Sequence, residues 1–192
     1  MKLFHYTIGI KVESILESGV IRTSPVKPPY PEKPISWLSS NATYENSALK
    51  LGMLGGESMI MTLEQMEQQG QGIYRFVFDT ENLDVEVMPW SLLRPRCKAK
   101  PKIIKRLLDR ANIAKSSPAE WYGTLDQDLP IATATLEVGV MGNDGKLVWM
   151  EVCKPTVDTS KVLQVTVDEA KALGLGVECT DETWKAMHGG AQ

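Results

Sequence analysis

Residues 133 to 153 read Thr133-Ala134-Thr135-Leu136-Glu137-Val138-Gly139-Val140-Met141, then Gly142-Asn143-Asp144-Gly145, then Lys146-Leu147-Val148-Trp149-Met150-Glu151-Val152-Cys153. Two runs rich in β-branched and aromatic residues flank four turn-forming ones, the pattern of an antiparallel hairpin. Upstream, Ile73 to Phe78 predicts a strand, and Leu63 to Gln69 a short helix closed by Gly70 and Gly72. Lys100 to Ala114 places Ile103, Ile104, Leu107, Leu108 and Ala111 on one stripe of an amphipathic helix. Downstream, a strand is expected at Val162 to Val167, a helix from Val167-Asp168 and another from Thr180.

At the N-terminus, Leu3 to Tyr6 has strand character. Thr7 is placed to cap a helix carrying Val12, Ile15 and Leu16, with Gly19 as its stop. Thr23 to Pro34 holds five prolines and predicts an extended surface loop. Ile35 to Ser40 alternates like a strand and enters Asn41-Ala42-Thr43-Tyr44-Glu45, where Asn41 or Thr43 could cap a turn. Leu51 to Met61, rich in glycine and methionine, is expected to be mobile and adaptable, a soft lid opposite the proline-stiffened wall. Two unrelated surface loops are the alternative. Strands without regular helical crossovers predict a mixed α+β domain with a largely antiparallel sheet.

A chain of 192 residues suits one domain, residues 1 to 192, with a sizeable core. Hydrophobic residues at 43% and charged residues at 23% exclude a disordered, collagenous or coiled-coil chain. Cys97, Cys153 and Cys179 form no CxxC pair, so neither a disulfide framework nor a cysteine zinc site is suggested, and a cytoplasmic setting fits. No signal-peptide core and no apolar stretch of membrane-spanning length is present, so no membrane partner is expected. GxGxxG, GxxxxGK, GxSxG and HExxH are all missing, and with His5 and His188 as the two histidines no metal site is expected.

His5 stands on a strand face with Leu3 and Thr7, while Phe4 and Tyr6 point the other way; one set should meet the core and the other a cleft. His5-Tyr6-Thr7, then Ser14-Ile15-Leu16-Glu17-Ser18-Gly19-Val20-Ile21, then Trp37-Leu38-Ser39-Ser40-Asn41 resembles the N-terminal half of ADP-ribosyltransferase-like proteins. It is similar in particular to the DNA-modifying toxin and RNA 2′-phosphotransferase branches, and to bacterial and phage proteins with the same opening. The resemblance covers roughly the first quarter of the chain, with weaker echoes at Glu120-Trp121-Tyr122-Gly123 and Leu136-Glu137-Val138. It implies a split antiparallel sheet around an NAD cleft and an enzyme moving ADP-ribose from NAD to a macromolecular acceptor, nucleic acid or protein. An inert nucleotide-, nucleic-acid- or protein-binding module on the same fold is the alternative.

By the same resemblance, His5 would hydrogen-bond the ribose of NAD, with Ser39 or Ser40 in support and Tyr44 stacking on nicotinamide. Tyr6 or Trp37 could supply that aromatic instead, and Thr7 belongs to the cofactor-binding opening. A late-strand Glu is implied as catalytic, and Glu137 and Glu151 are the candidates. Pairing Met141 with Lys146 puts Glu137 opposite Met150 and Glu151 opposite Leu136, on different faces unless a bulge shifts the register, so that one alone can face the cleft. Glu137, between Thr135 and Gly139, is preferred; Glu151 accompanies Leu147 and Trp149. Arg22 could hold the pyrophosphate through its forked donors or form a surface salt bridge.

Arg94, Arg96, Lys98, Lys100, Lys102, Lys105, Arg106 and Arg110 crowd a segment where Asp109 is the one acid, in a chain of net charge -3. This local reversal is either a patch for nucleic acid or an acidic partner, or the solvated face of a helix.

Overall fold

The computed structural model describes residues 1–23, 28–54, 57–142 and 145–153, within the compact unit Met1–Val157. The strand and helices expected beyond residue 160 lie outside the described residues, so the single-domain expectation extends past them. The elements run β1 (Lys2–Ile8), α1 (Gly9–Ser18), β2 (Val20–Ile21), β3 (Ile35–Ser39), a 3₁₀ turn (Asn46–Ala48), β4 (Leu51–Leu54), β5 (Glu57–Ile60) and α2 (Leu63–Gln69). They continue as β6 (Ile73–Asp79), β7 (Met88–Pro89), α3 (Trp90–Arg96), α4 (Pro101–Ala114), β8 (Trp121–Leu125), β9 (Leu129–Pro130), β10 (Thr135–Met141) and β11 (Leu147–Cys153).

Seven strands form one sheet in the order β11-β10-β6-β1-β3-β8-β7, and every pairing in it is antiparallel. The fold is therefore α+β with a largely antiparallel sheet. β2 pairs with β9 and β4 with β5 as separate two-stranded ribbons. The stretch expected to be a mobile lid is thus the β4–β5 hairpin, closed at its base by the Met61 N–H donating to the Lys50 carbonyl at 2.9 Å.

Thr7 does not cap α1. β1 runs on through Thr7 opposite Tyr74 and Ile8 opposite Ile73, and Ile8 becomes the N-cap without a side-chain bond. No cap is needed, because the free N–H groups of Gly9 and Ile10 donate to the carbonyls of Gly72 and Gly70, each at 3.1 Å. α2 spans the expected Leu63–Gln69 with Gly70 as its C-cap, and Thr62 and Gln65 form a capping box at its start that the sequence reading did not name.

Both faces of β1 are buried, so the expected division into a core face and a cleft face does not hold: Leu3 and Thr7 are as covered as Phe4 and Tyr6. Phe4 and Tyr6 pack with Tyr44, Met61, Met66 and Ile73. A second cluster joins α3 and α4 to β8 through Trp90, Leu93, Ile104, Ala111 and Trp121, with Trp37 beside it. The rings of Trp37, Trp90 and Trp121 lie 5.6–5.8 Å apart in tilted and edge-on arrangements, which aromatic quadrupoles favour.

The hairpin that decides the sheet is present, but one residue out of the expected register. Met141 pairs with Leu147, not Lys146, and Glu137 lies directly opposite Glu151. The reason is the turn. Gly145 takes a left-handed φ of 73°, its N–H donates to the Gly142 carbonyl at 2.9 Å, and the Gly142 N–H closes on the Lys146 carbonyl at 2.8 Å. The strands therefore pair from Leu147 onward, with Lys146 inside the turn. The two glutamates share a face, correcting the expectation that they point apart.

Gly123 on β8 is fixed by close approach: a Cβ there would stand 2.5 Å from the Ser36 carbonyl oxygen and 2.8 Å from Ile35. Gly123→Ala must push β3 and β8 apart, and is expected to lower stability by about 1–3 kcal/mol. Urea unfolding measures this, with a reduced midpoint at unchanged slope.

Candidate functional site

β1 and β3 pair at one register position, Phe4 opposite Ser39. Beyond it the His5 imidazole makes the connection, its Nδ1 bonded to the Trp37 carbonyl at 2.9 Å. A carbonyl accepts only, so the proton sits on Nδ1 and Nε2 is left as an acceptor. A cleft of about 430 Å³ opens at this junction. His5 and Tyr6 from β1 and Trp37 and Ser39 from β3 line it, with Glu45 and Lys50 from the segment around the 3₁₀ turn, and Leu107 and Arg110 from α4 opposite.

His5 keeps an opening to the cleft, yet burial of the ring draws its pKa down from 6.5 to about 4, helped by nearby Lys50 and opposed by the bond to Trp37. The imidazole is therefore neutral, and an acceptor, across the physiological range. The unfolded chain takes up this proton between pH 6.5 and 4 while the folded chain does not. The stability contributed is present above pH 6.5 and lost as pH falls, on the order of 3 kcal/mol by pH 4. Urea titrations at descending pH should show this acid limb in the parent chain and a flatter one in His5→Asn.

Glu45 is the group that sequence reasoning missed. It is buried, and its Oε1 accepts from the Ser47 N–H at 3.0 Å, the Ser47 hydroxyl at 2.7 Å and the Ser116 hydroxyl. Oε2 accepts from the Ser39 hydroxyl at 3.0 Å, which leaves it capacity for one further donor. Burial alone would raise the Glu45 pKa, but the bonds from Ser116, Ser47 and Ser39 outweigh it and hold the carboxyl below its ordinary 4.5. The stability this adds is present above that value and lost as pH falls through the folded one. Ser116 in turn accepts from Trp121 Nε1 at 3.1 Å, tying the chain just after α4 to the cleft wall. The one sequence signal for Glu45 was its place in the polar turn after β3.

Two cations complete the site. Lys50 has exposed surface, yet the protein packed around it, followed by repulsion from Arg110 and Lys11, lowers its pKa. Arg110 donates to the Leu49 carbonyl at 2.8 Å. Among the described residues neither has an acidic partner.

Of the expected cofactor residues, His5, Tyr6 and Ser39 come together here. The Tyr6 hydroxyl donates to the Asn41 carbonyl, and burial pushes its pKa up to about 12. Tyr44 lies behind Tyr6, ring centroids 4.9 Å apart, with its hydroxyl on Met66 sulfur at 3.7 Å, and does not line the cleft. Ser40 is joined to Glu120 through its N–H at 2.8 Å. Thr7 is buried within the sheet and Arg22 is exposed; neither lines the cleft.

Glu137 is also outside the cleft lining: its Oε2 accepts from Arg75 Nε at 2.5 Å. Arg75 is stacked between Phe4 and Trp149, its guanidinium carbon 4.4 and 4.2 Å from the ring centroids, and donates to the Ala42 carbonyl. Glu151, opposite Glu137, is exposed.

No group of three or more His, Cys, Asp or Glu is placed to hold a metal among the described residues, and no helix there is long and apolar enough to cross a membrane. No protein-family model, curated protein or solved structure matches the chain.

Proposed function

We propose that the chain is an NAD-dependent enzyme of the ADP-ribosyltransferase-like kind, passing ADP-ribose to a macromolecular acceptor on a sheet that splits between β1 and β3. The observation that carries this is the meeting of His5 and Ser39, from two neighbouring strands that pair at one register position, in one cleft with a buried carboxylate and two cations. Its volume falls within the range of small-molecule sites, and its mostly apolar walls with a few directed polar groups suit a nucleotide.

His5 Nε2 would accept from a ribose hydroxyl, Lys50 and Arg110 would hold the pyrophosphate, and the Tyr6 or Trp37 ring would face nicotinamide. NAD supplies a labile glycosidic bond: the bond to nicotinamide breaks, nicotinamide leaves with the electron pair, and the acceptor's O or N bonds the same carbon and releases its proton. The developing positive charge on the sugar calls for a fixed anion. The sequence resemblance pointed to Glu137 for that role. With Glu137 held by Arg75, the role falls to Glu45, whose Oε2 retains an acceptor site. Ser39 then acts through Glu45 as a positioning residue.

The pure chain incubated with adenylate-labelled NAD and cell lysate should release nicotinamide and label a macromolecule. No release and no label would sink the proposal. The engagement of Glu45 by serine hydroxyls and of Glu137 by Arg75 favours one other reading, an inert nucleotide-binding module. For that reading NAD should raise the melting temperature without any nicotinamide release.

A further inference from the structure

Residues 94–110 hold eight lysines and arginines against Asp109 alone. Two of these charges are locally compensated: Lys105 pairs with Asp109 at 3.3 Å and Arg96 with Glu86 at 3.4 Å. Arg94, Lys98, Lys102 and Arg106 are exposed and in no ion pair among the described residues.

α4 orders what remains. Lys102, Arg106 and Arg110 succeed one another at four-residue intervals, so they form one ridge along the helix, about 12 Å from first to last. Arg110, at the end of the ridge, lines the cleft beside Leu107. On the other flank of α4 lies a groove of about 730 Å³, lined by Arg94, Lys98 and the Lys105–Asp109 pair with Ile104 and Leu108, which leaves two uncompensated cations in it. A basic helix thus separates a basic groove from the candidate active cleft, and its cation ridge leads into the cleft.

We infer that this ridge is a binding track for single-stranded nucleic acid, which brings the strand to the cleft mouth. A phosphodiester backbone offers one anion per unit in single file, matching cations set about 6 Å apart, while the neighbouring Asp109 is paired with Lys105. The ridge ends at the cleft that Arg110 and Trp37 both line, and Trp37 is a half-buried ring of the kind on which a base can stack. An acidic peptide offers its anions without a planar base at every unit for that ring to stack on. The inference deepens the transferase proposal by naming the acceptor class, and rests on it only for the transfer step inside the cleft.

Fluorescence anisotropy with a labelled oligonucleotide of about 12 nucleotides, without NAD, provides the test. The full chain should bind, with affinity falling steeply as salt rises. Lys102→Ala combined with Arg106→Ala removes two phosphate contacts at exposed helix positions, where alanine favours the fold. It should weaken binding about tenfold or more and reduce the log-log salt slope by about 1.4. Lys2→Ala, on β1 and off the ridge, should leave both unchanged. No binding at low salt, an unchanged slope in the ridge variant, an equal loss in the control, or equal competition by polyglutamate would each overturn the inference. Oligonucleotide binding that persists in a chain inert to NAD would leave the track standing and remove the transferase proposal.

Discussion

Replacing Arg75 with alanine is expected to lower the free energy of unfolding by about 3–5 kcal/mol, a larger loss than Gly123→Ala causes in the same sheet. Arg75 is a buried cation on β6, with Tyr6 of β1 opposite it on one side and Glu137 of β10 on the other. The side chain of Glu137 is only 20% exposed, so removing the guanidinium strands an anion in a largely dry site. The same change takes the donor from the Ala42 carbonyl and the cation from between Phe4 and Trp149. Urea unfolding should show the midpoint falling at constant slope. Joining Arg75→Met to Glu137→Leu should recover most of the loss, because well-packed apolar replacement of a buried pair is often close to neutral. A double variant as unstable as Arg75→Ala would mean that the pair's stacking, and not its charge balance, holds β6 to β10.

Glu45→Gln carries the largest expected effect on activity, a fall in nicotinamide release of about 10²–10³ with a much smaller change in NAD affinity. The amide removes the fixed anion from the cleft while keeping its shape. It also turns an N–H₂ group toward hydroxyl donors that a carboxylate accepts on both oxygens, so stability should fall by about 1–3 kcal/mol. Turnover normalised to folded protein separates the two effects. Glu137→Gln and Glu151→Gln serve as comparisons. Full turnover in Glu45→Gln, with loss in either of the others, would return the catalytic role to the hairpin.

The elements legible in the sequence are those whose periodicity or punctuation is local. α2 carries its own glycine stop, α4 its apolar stripe, and β10 and β11 their glycine turn. α3 left no such trace: it has seven residues, Pro89 as N-cap without a side-chain bond, and Pro95 inside. Its start is set by Trp90 and Leu93 packing against Trp121, a tertiary cause that no local pattern reports. β8 hides for a similar reason, since Gly123 interrupts its pattern to let β3 approach closely.

The candidate site divides along the same line. His5, Tyr6 and Ser39 were legible because they belong to a contiguous opening motif and the strand after it. Glu45, Ser116 and Arg110 were not, because hydrogen bonds and helix packing bring them together across 71 residues of chain. The hairpin register follows the turn closed by the bonds of Gly142 with Gly145 and Lys146, and in that register Glu137 and Glu151 share a face. Arg110 was visible in the basic run, but its place on the cleft wall depends on how α4 docks beside the 3₁₀ turn.

The most direct test of the central claim is a calorimetric titration of NAD into the parent chain and into His5→Ala, at pH 7, where the His5 imidazole is neutral. Saturable binding with one site per chain, weakened at least tenfold in the variant, is the predicted result. No heat of binding at millimolar NAD, or equal affinity in the two proteins, would contradict the assignment of this cleft to NAD.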